Sequence, residues 1–143
     1  MDENWIFESI LSNYLYRVKI VIHGTKETQY LQGDYEGKSG RILAAQENPD
    51  AFEQTARVRF EDGEERSIVA KYIVPQDPKN SLRGEEVLIL AGKQRGRALV
   101  IRGDRDDDEL VVSSKQDPSN VDKVSKSFVV PLADEPVSSG GWQ

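Results

Sequence analysis

The chain repeats itself. Gly33 and Gly92 each open a glycine turn that runs into an apolar strand, and 59 residues separate them. Pro75 and Pro131 each close a β-branched run, Ile73-Val74-Pro75 and Val129-Val130-Pro131, and lie 56 residues apart. Two landmarks recurring at nearly one spacing divide the 143 residues into two copies of one supersecondary unit. Each copy then has about 55 to 65 residues, too few for an open sheet, which would expose both edges and bury little. Closure into a small, strongly bent barrel solves both problems. The expectation is a mainly all-β chain: a short N-terminal helix over 1–16, a first barrel over 17–78, a second over 79–132 and a flexible tail over 133–143.

The local pattern fills in this frame. Trp5, Phe7, Ile10, Leu11, Tyr14 and Leu15 approximate a helical stripe, with Asp2 near its start, and predict a helix docked on the first barrel. From Arg17 to Ile22 the run is short and β-branched, and His23 to Gln32 reads as a polar loop. Arg57 to Phe60 reads as a strand, and Asp62-Gly63 as a hairpin signal. A three-residue turn there puts Val58, Phe60 and Ile68 on one face, whereas a two-residue turn would split them. Glu86 to Leu90, Ala98 to Ile101, Glu109 to Val112 and Val124 to Pro131 supply the strands of the second copy. Residues 76 to 83 read as the linker.

Composition narrows the chemistry. The chain has no cysteine, so it has no disulfide framework and no thiolate site, and His23 is its single histidine. A Ser-His-Asp triad or a His-based zinc site would rest on that one residue. No apolar run approaches the roughly 20 residues of a membrane helix, and no signal-peptide pattern opens the chain, so the expectation is an intracellular protein without cofactor or metal. Asp106-Asp107-Asp108-Glu109 lacks the spacing of a calcium loop, and it reads, like Glu61 to Glu65, as a solvated hairpin turn. The net charge of -6 argues against general DNA coating. It is unevenly spread. Residues 1–78 carry 9 basic and 14 acidic side chains, whereas 79–105 carry 7 basic against 3 acidic.

The glycine turns also carry a resemblance. Gly33-x-x-x-Gly37-x-x-Gly40-x-Ile42, preceded by Val18-Lys19-Ile20-Val21, resembles the KOW motif. So does Val87-Leu88-Ile89-Leu90-Ala91-Gly92-Lys93-Gln94-Arg95-Gly96, followed by Val100-Ile101, although Leu99 stands where the third glycine belongs. Leucine does not take positive φ cheaply, so that turn is expected to be shaped differently or strained. KOW modules are SH3-like barrels of ribosomal proteins and elongation factors. A tandem pair of this kind is most similar to the C-terminal KOW pair of the Spt5 family.

That resemblance implies a non-catalytic, nuclear scaffold that associates with RNA polymerase II, with elongation or chromatin proteins, or with nascent RNA, through loops held on rigid barrels. The candidate contacts are Lys93, Arg95, Arg97 and Arg102 in the second module, with Lys38 and Arg41 as their equivalents in the first. Tudor or Agenet chromatin readers, which share the SH3-like barrel, and splicing-associated KOW proteins are the alternative. A reader would use an aromatic cage, for which Tyr35 and Tyr72 are the candidates, with Tyr72 and Phe60 also fitting a core.

Overall fold

A computed structural model of the chain describes residues 5–7, 11, 13–46, 52–76, 83–104 and 108–133. The chain divides into two compact units, one within Met1–Gln76 and one within Asp77–Ala133. The first is built on β1 (Lys19–Ile22), β2 (Ser39–Gln46), β3 (Thr55–Phe60), β4 (Glu65–Val69) and β5 (Ile73–Pro75). The second is built on β6 (Glu86–Ile89), β7 (Ala98–Asp104), β8 (Glu109–Ser113), β9 (Asp122–Ser125) and β10 (Val129–Pro131). Both are five-stranded antiparallel sheets, ordered β4-β3-β2-β1-β5 and β10-β6-β7-β8-β9, which is one order read from opposite ends. The all-β expectation holds.

The repeat extends to single hydrogen bonds. In the first unit the Gly37 amide donates to the Ile22 carbonyl at 2.8 Å and Ile22 to Lys38 at 3.0 Å. In the second, Gly96 donates to Ile89 at 2.8 Å and Ile89 to Arg97 at 3.0 Å. Gly33, Gly37, Gly92 and Gly96 all hold positive φ, between 73° and 90°, where any side chain would be strained. One residue slips in each long strand, between Ile42 and Ala44 and between Ile101 and Gly103. Such a bulge bends and twists the strand that carries it. A 3-10 turn, Ala70–Tyr72 or Lys126–Phe128, then leads into the last strand of each sheet.

The hairpin between β3 and β4 has the three-residue turn expected of it. The Phe60 amide donates to the Glu64 carbonyl and the Gly63 amide to the Phe60 carbonyl, with Gly63 at φ 94°. Val58, Phe60 and Ile68 accordingly share the buried face with Ile20, Ile22, Ile42 and Ile73. The second core is Val87, Ile89, Leu99, Ile101, Leu110, Val112, Val124 and Val129.

Three sequence expectations change. The third glycine of the first motif is not a turn residue. Gly40 lies within β2, opposite Ile20 and Phe60, and a Cβ there would sit 2.5 Å from the Arg59 carbonyl oxygen. Leu99, its counterpart, lies in β7 opposite Val87 and is not among the positive-φ residues, so the expected strain at that turn is absent. His23 to Gln32 is also not a plain loop. It holds a short helix, α1 (Thr25–Thr28), and a 3-10 turn, Tyr30–Gly33, with Gln29, Leu31 and Gln32 at positive φ.

Of the expected N-terminal helix, the described residues show 3-10 turns at Trp5–Phe7 and Leu15–Arg17. Residues 1–4, 8–10 and 12 lie outside the described residues. The docking function is clear: Trp5, Ile6 and Leu11 are buried, and the Trp5 indole donates to the Ile73 carbonyl at 2.9 Å. Most of the expected linker (77–82), residues 105–107 of the acidic hairpin and residues 134–143 of the tail also lie outside the described residues.

Candidate nucleic-acid or partner interface

In the second unit the turn Gly92–Arg97 is held against β9. The Gln94 amide donates to the Asp122 carboxylate at 2.8 Å, and Lys93 Nζ lies 3.5 Å from the same carboxylate oxygen. The Gln94 bond, the Lys123 amide and the Lys93 charge together hold Asp122 below its ordinary carboxylate pKa. Arg97 donates to Gln94 Oε1 at 2.7 Å. Lys93, Gln94, Arg97, Ser113, Ser114, Asn120 and the carboxylate of Asp122 are among the residues that line a groove of about 260 Å³. Arg102 reaches the same serines, donating to Ser113 Oγ at 2.8 Å. Of the four candidate cations of this unit, Lys93 and Arg97 line the groove, Arg102 does not line it but bonds to its Ser113, and Arg95 is exposed on the turn and does not line it.

The first unit repeats the backbone of this turn but not its charge. Matching Gly33 to Gly92 and Gly37 to Gly96 aligns Lys38 with Arg97, but places Asp34 and Glu36 where Lys93 and Arg95 stand. Arg41 aligns with Val100, so it is not an equivalent of the second-unit cations. Lys38 is already engaged, 3.5 Å from Asp62 and 3.8 Å from Glu64. Its ammonium also lies 4.8 Å from the Tyr35 ring centroid. Glu36 turns inward on the inserted segment. It accepts from the Thr25 hydroxyl at 2.7 Å, the Thr25 amide at 2.8 Å and the Gly24 amide at 3.3 Å. These bonds, Thr25 first, bring its pKa down to about 2.

The two tyrosines do not converge. Tyr72 is buried and stacks on Tyr30 at 4.5 Å between centroids, with its hydroxyl 2.7 Å from Thr28 Oγ1. Tyr35 is half-buried, packs on Phe60 and donates to Glu64, which raises its pKa. The Tyr35 ring already meets Lys38 and Arg66 of its own unit. His23 is an exposed loop residue beside Glu36. Among the described residues no group of three or more His, Asp or Glu side chains could hold a metal ion, and no helix is long and apolar enough to cross a membrane.

A second groove lies elsewhere, on the outer face of the first sheet. It has a volume of about 800 Å³, and Tyr16, Lys19, Arg41, Leu43 and Arg59 line it. Of these, sequence reasoning singled out Arg41 alone. Lys19 and Arg59 become its neighbours only through strand register, Lys19 opposite Arg41 and Arg41 opposite Arg59. The signal was present as single basic residues alternating with buried ones, Ile20, Ile42 and Val58, but pairing them required the register. The chain matches no family model and no curated protein, so these surfaces carry the functional argument by themselves.

Proposed function

We propose that the chain is a non-catalytic tandem binding module of the KOW type, in the manner of a Spt5-like elongation factor. Each sheet would coil around its own core as a small SH3-like barrel and present loops to nascent RNA, RNA polymerase II or elongation partners in the nucleus. The observation that carries this reading is the shared turn: Gly33–Lys38 and Gly92–Arg97 repeat the same amide-to-carbonyl bonds before the same bulged strand. Burial of the inner face of each sheet supports coiling, since a single open layer of this size would leave that face wet. The groove lined by Lys93 and Arg97 supports a phosphate or carboxylate ligand, because its walls are polar and an anion there would compete with Asp122 for Lys93 while meeting Arg97.

The test is a salt series on oligouridine binding. Lys93→Ala with Arg97→Ala is expected to lower affinity and to flatten the salt slope by about 0.7 per lost phosphate contact. Unchanged affinity and slope would remove that groove from consideration as the phosphate site. A methyl-lysine reader is the weaker alternative, because Tyr72 is buried and the Tyr35 ring already meets Lys38 and Arg66. Saturable binding of methylated histone peptides that depends on Tyr35 would reverse this ranking.

A further inference from the structure

We infer that the outer face of the first sheet is a separate single-stranded nucleic-acid site, built on the row Lys19–Arg41–Arg59 and the exposed ring of Tyr16. The inference goes beyond the second-unit groove, though it rests on reading the chain as a binding module.

The register sets the three cations abreast. Lys19 lies opposite Arg41 across β1 and β2, and Arg41 lies opposite Arg59 across β2 and β3. Neighbouring strands are about 4.8 Å apart, so the row spans about 10 Å. Like charges placed directly opposite each other destabilise a sheet. One member is neutralised: Arg59 donates to Glu65 at 2.6 Å and 3.0 Å. Among the described residues neither Lys19 nor Arg41 has an ion-pair partner. The fold itself does not demand the row. The second unit places Glu86, Val100 and Ser113 at the same three register positions.

The surroundings select the ligand. Tyr16 is 60% exposed and lines the groove, and Leu43, the extra residue of the bulge, adds apolar surface. Cations tracking a backbone beside an aromatic face form the usual platform for a single strand, with phosphates on the cations and a base on the ring. Glu61 also lines the groove, and its charge would oppose an acidic peptide as well as a phosphate. The exposed ring tips the choice towards a nucleobase, because an acidic peptide has no need of a stacking platform. The site lies within residues 1–78, whose net charge is -5, where composition alone argues against phosphate.

The experiment measures binding of labelled oligouridine by the full chain, by anisotropy across a salt series, with circular dichroism checking each fold. Lys19→Ala with Arg41→Ala should weaken binding about tenfold or more and flatten the salt slope. Tyr16→Ala should weaken it about fivefold or more and leave the slope unchanged, because stacking releases no counterions. Lys19→Arg with Arg41→Lys should keep most of the affinity, which a merely structural role would not predict. Lys93→Ala with Arg97→Ala is run in parallel. Loss in that variant alone overturns this inference and leaves the second-unit groove standing, while loss in neither removes both sites. If the Lys19 and Arg41 variant keeps oligouridine but loses poly-glutamate, the face takes acidic protein and the inference fails.

Discussion

The two units share a frame and differ in almost everything mounted on it. Sheet order, turn glycines, bulge and closing 3-10 turn are common to both. Between the end of the first strand and the first turn glycine, however, Ile22 to Gly33 spans eight more residues than Ile89 to Gly92. The core is redistributed as well: Gly40 and Ala56 in the first unit occupy the register positions that Leu99 and Leu110 hold in the second. Charge is inverted, with cations on the turn of one unit and on the sheet face of the other. The frame depends on backbone features that few residues can supply. The surface is free to vary, so the two units can offer different ligands different chemistry.

The sharpest way to break this comparison is to exchange the core residues. Gly40→Leu drives a Cβ to within 2.5 Å of the Arg59 carbonyl, a backbone atom that cannot rotate away. Overpacking typically costs about 1–3 kcal/mol, and a clash with backbone puts this substitution at the upper end. Leu99→Ala in the second unit removes a buried side chain and leaves a cavity, at about 2–5 kcal/mol. Amide hydrogen exchange resolved by residue should show each loss concentrated in its own unit. If Gly40→Leu were tolerated, β3 could retreat from β2, and the two cores would be closer in shape than their register implies.

The inserted segment provides the next test. Tyr72→Phe removes the hydroxyl that meets Thr28, a contact the second unit lacks, and should cost about 0.5–1.5 kcal/mol. Chemical denaturation would measure it. Acid should act on the same segment. The Glu36 carboxyl has its pKa lowered from 4.5 to about 2 by Thr25 and Gly24, so its stabilisation is fully present above about pH 4.5. It is lost as the pH falls towards 2, when the carboxylate takes up a proton. Exchange protection of the Gly24 and Thr25 amides should fade through that window, while the Gly96 amide, bonded to a carbonyl, keeps its own. Equal loss in both turns would deny the insertion its separate anchor.

What was legible in the sequence follows this division. Turn glycines, β-branched runs and the odd hairpin turn at Asp62-Gly63 report backbone needs that act over a few residues, and they located both sheets. Gly40 was misread as a turn residue because its constraint is the approach of Arg59, 19 residues away. The helix in the insertion was missed because Thr25 to Thr28 has no apolar stripe, and a capping carboxylate from Glu36 holds it instead. Lys93, Arg95 and Arg97 can be read as a set because they are neighbours in the chain. Lys19, Arg41 and Arg59 were not found as a set, because only the sheet makes them neighbours.

The smallest expected effect tests that row from the side of stability. Arg41 stands between Lys19 and Arg59, and among the described residues only Arg59 has a carboxylate to offset it. Arg41→Gln keeps a long polar side chain on the exposed face and removes one charge from between two others. It should therefore stabilise the first unit, by about 0.2–1 kcal/mol at low salt. The gain should shrink as salt is added, because the charges involved are exposed and screened. Denaturation midpoints at two salt concentrations would measure it. The second unit offers no such gain, since Val100 stands at that position between Glu86 and Ser113. A variant that is more stable than the natural chain but binds oligouridine more weakly would show the row kept against the interest of the fold. A variant that is less stable would mean that Arg41 supports the sheet through packing of its stem, and the repulsion argument would fail.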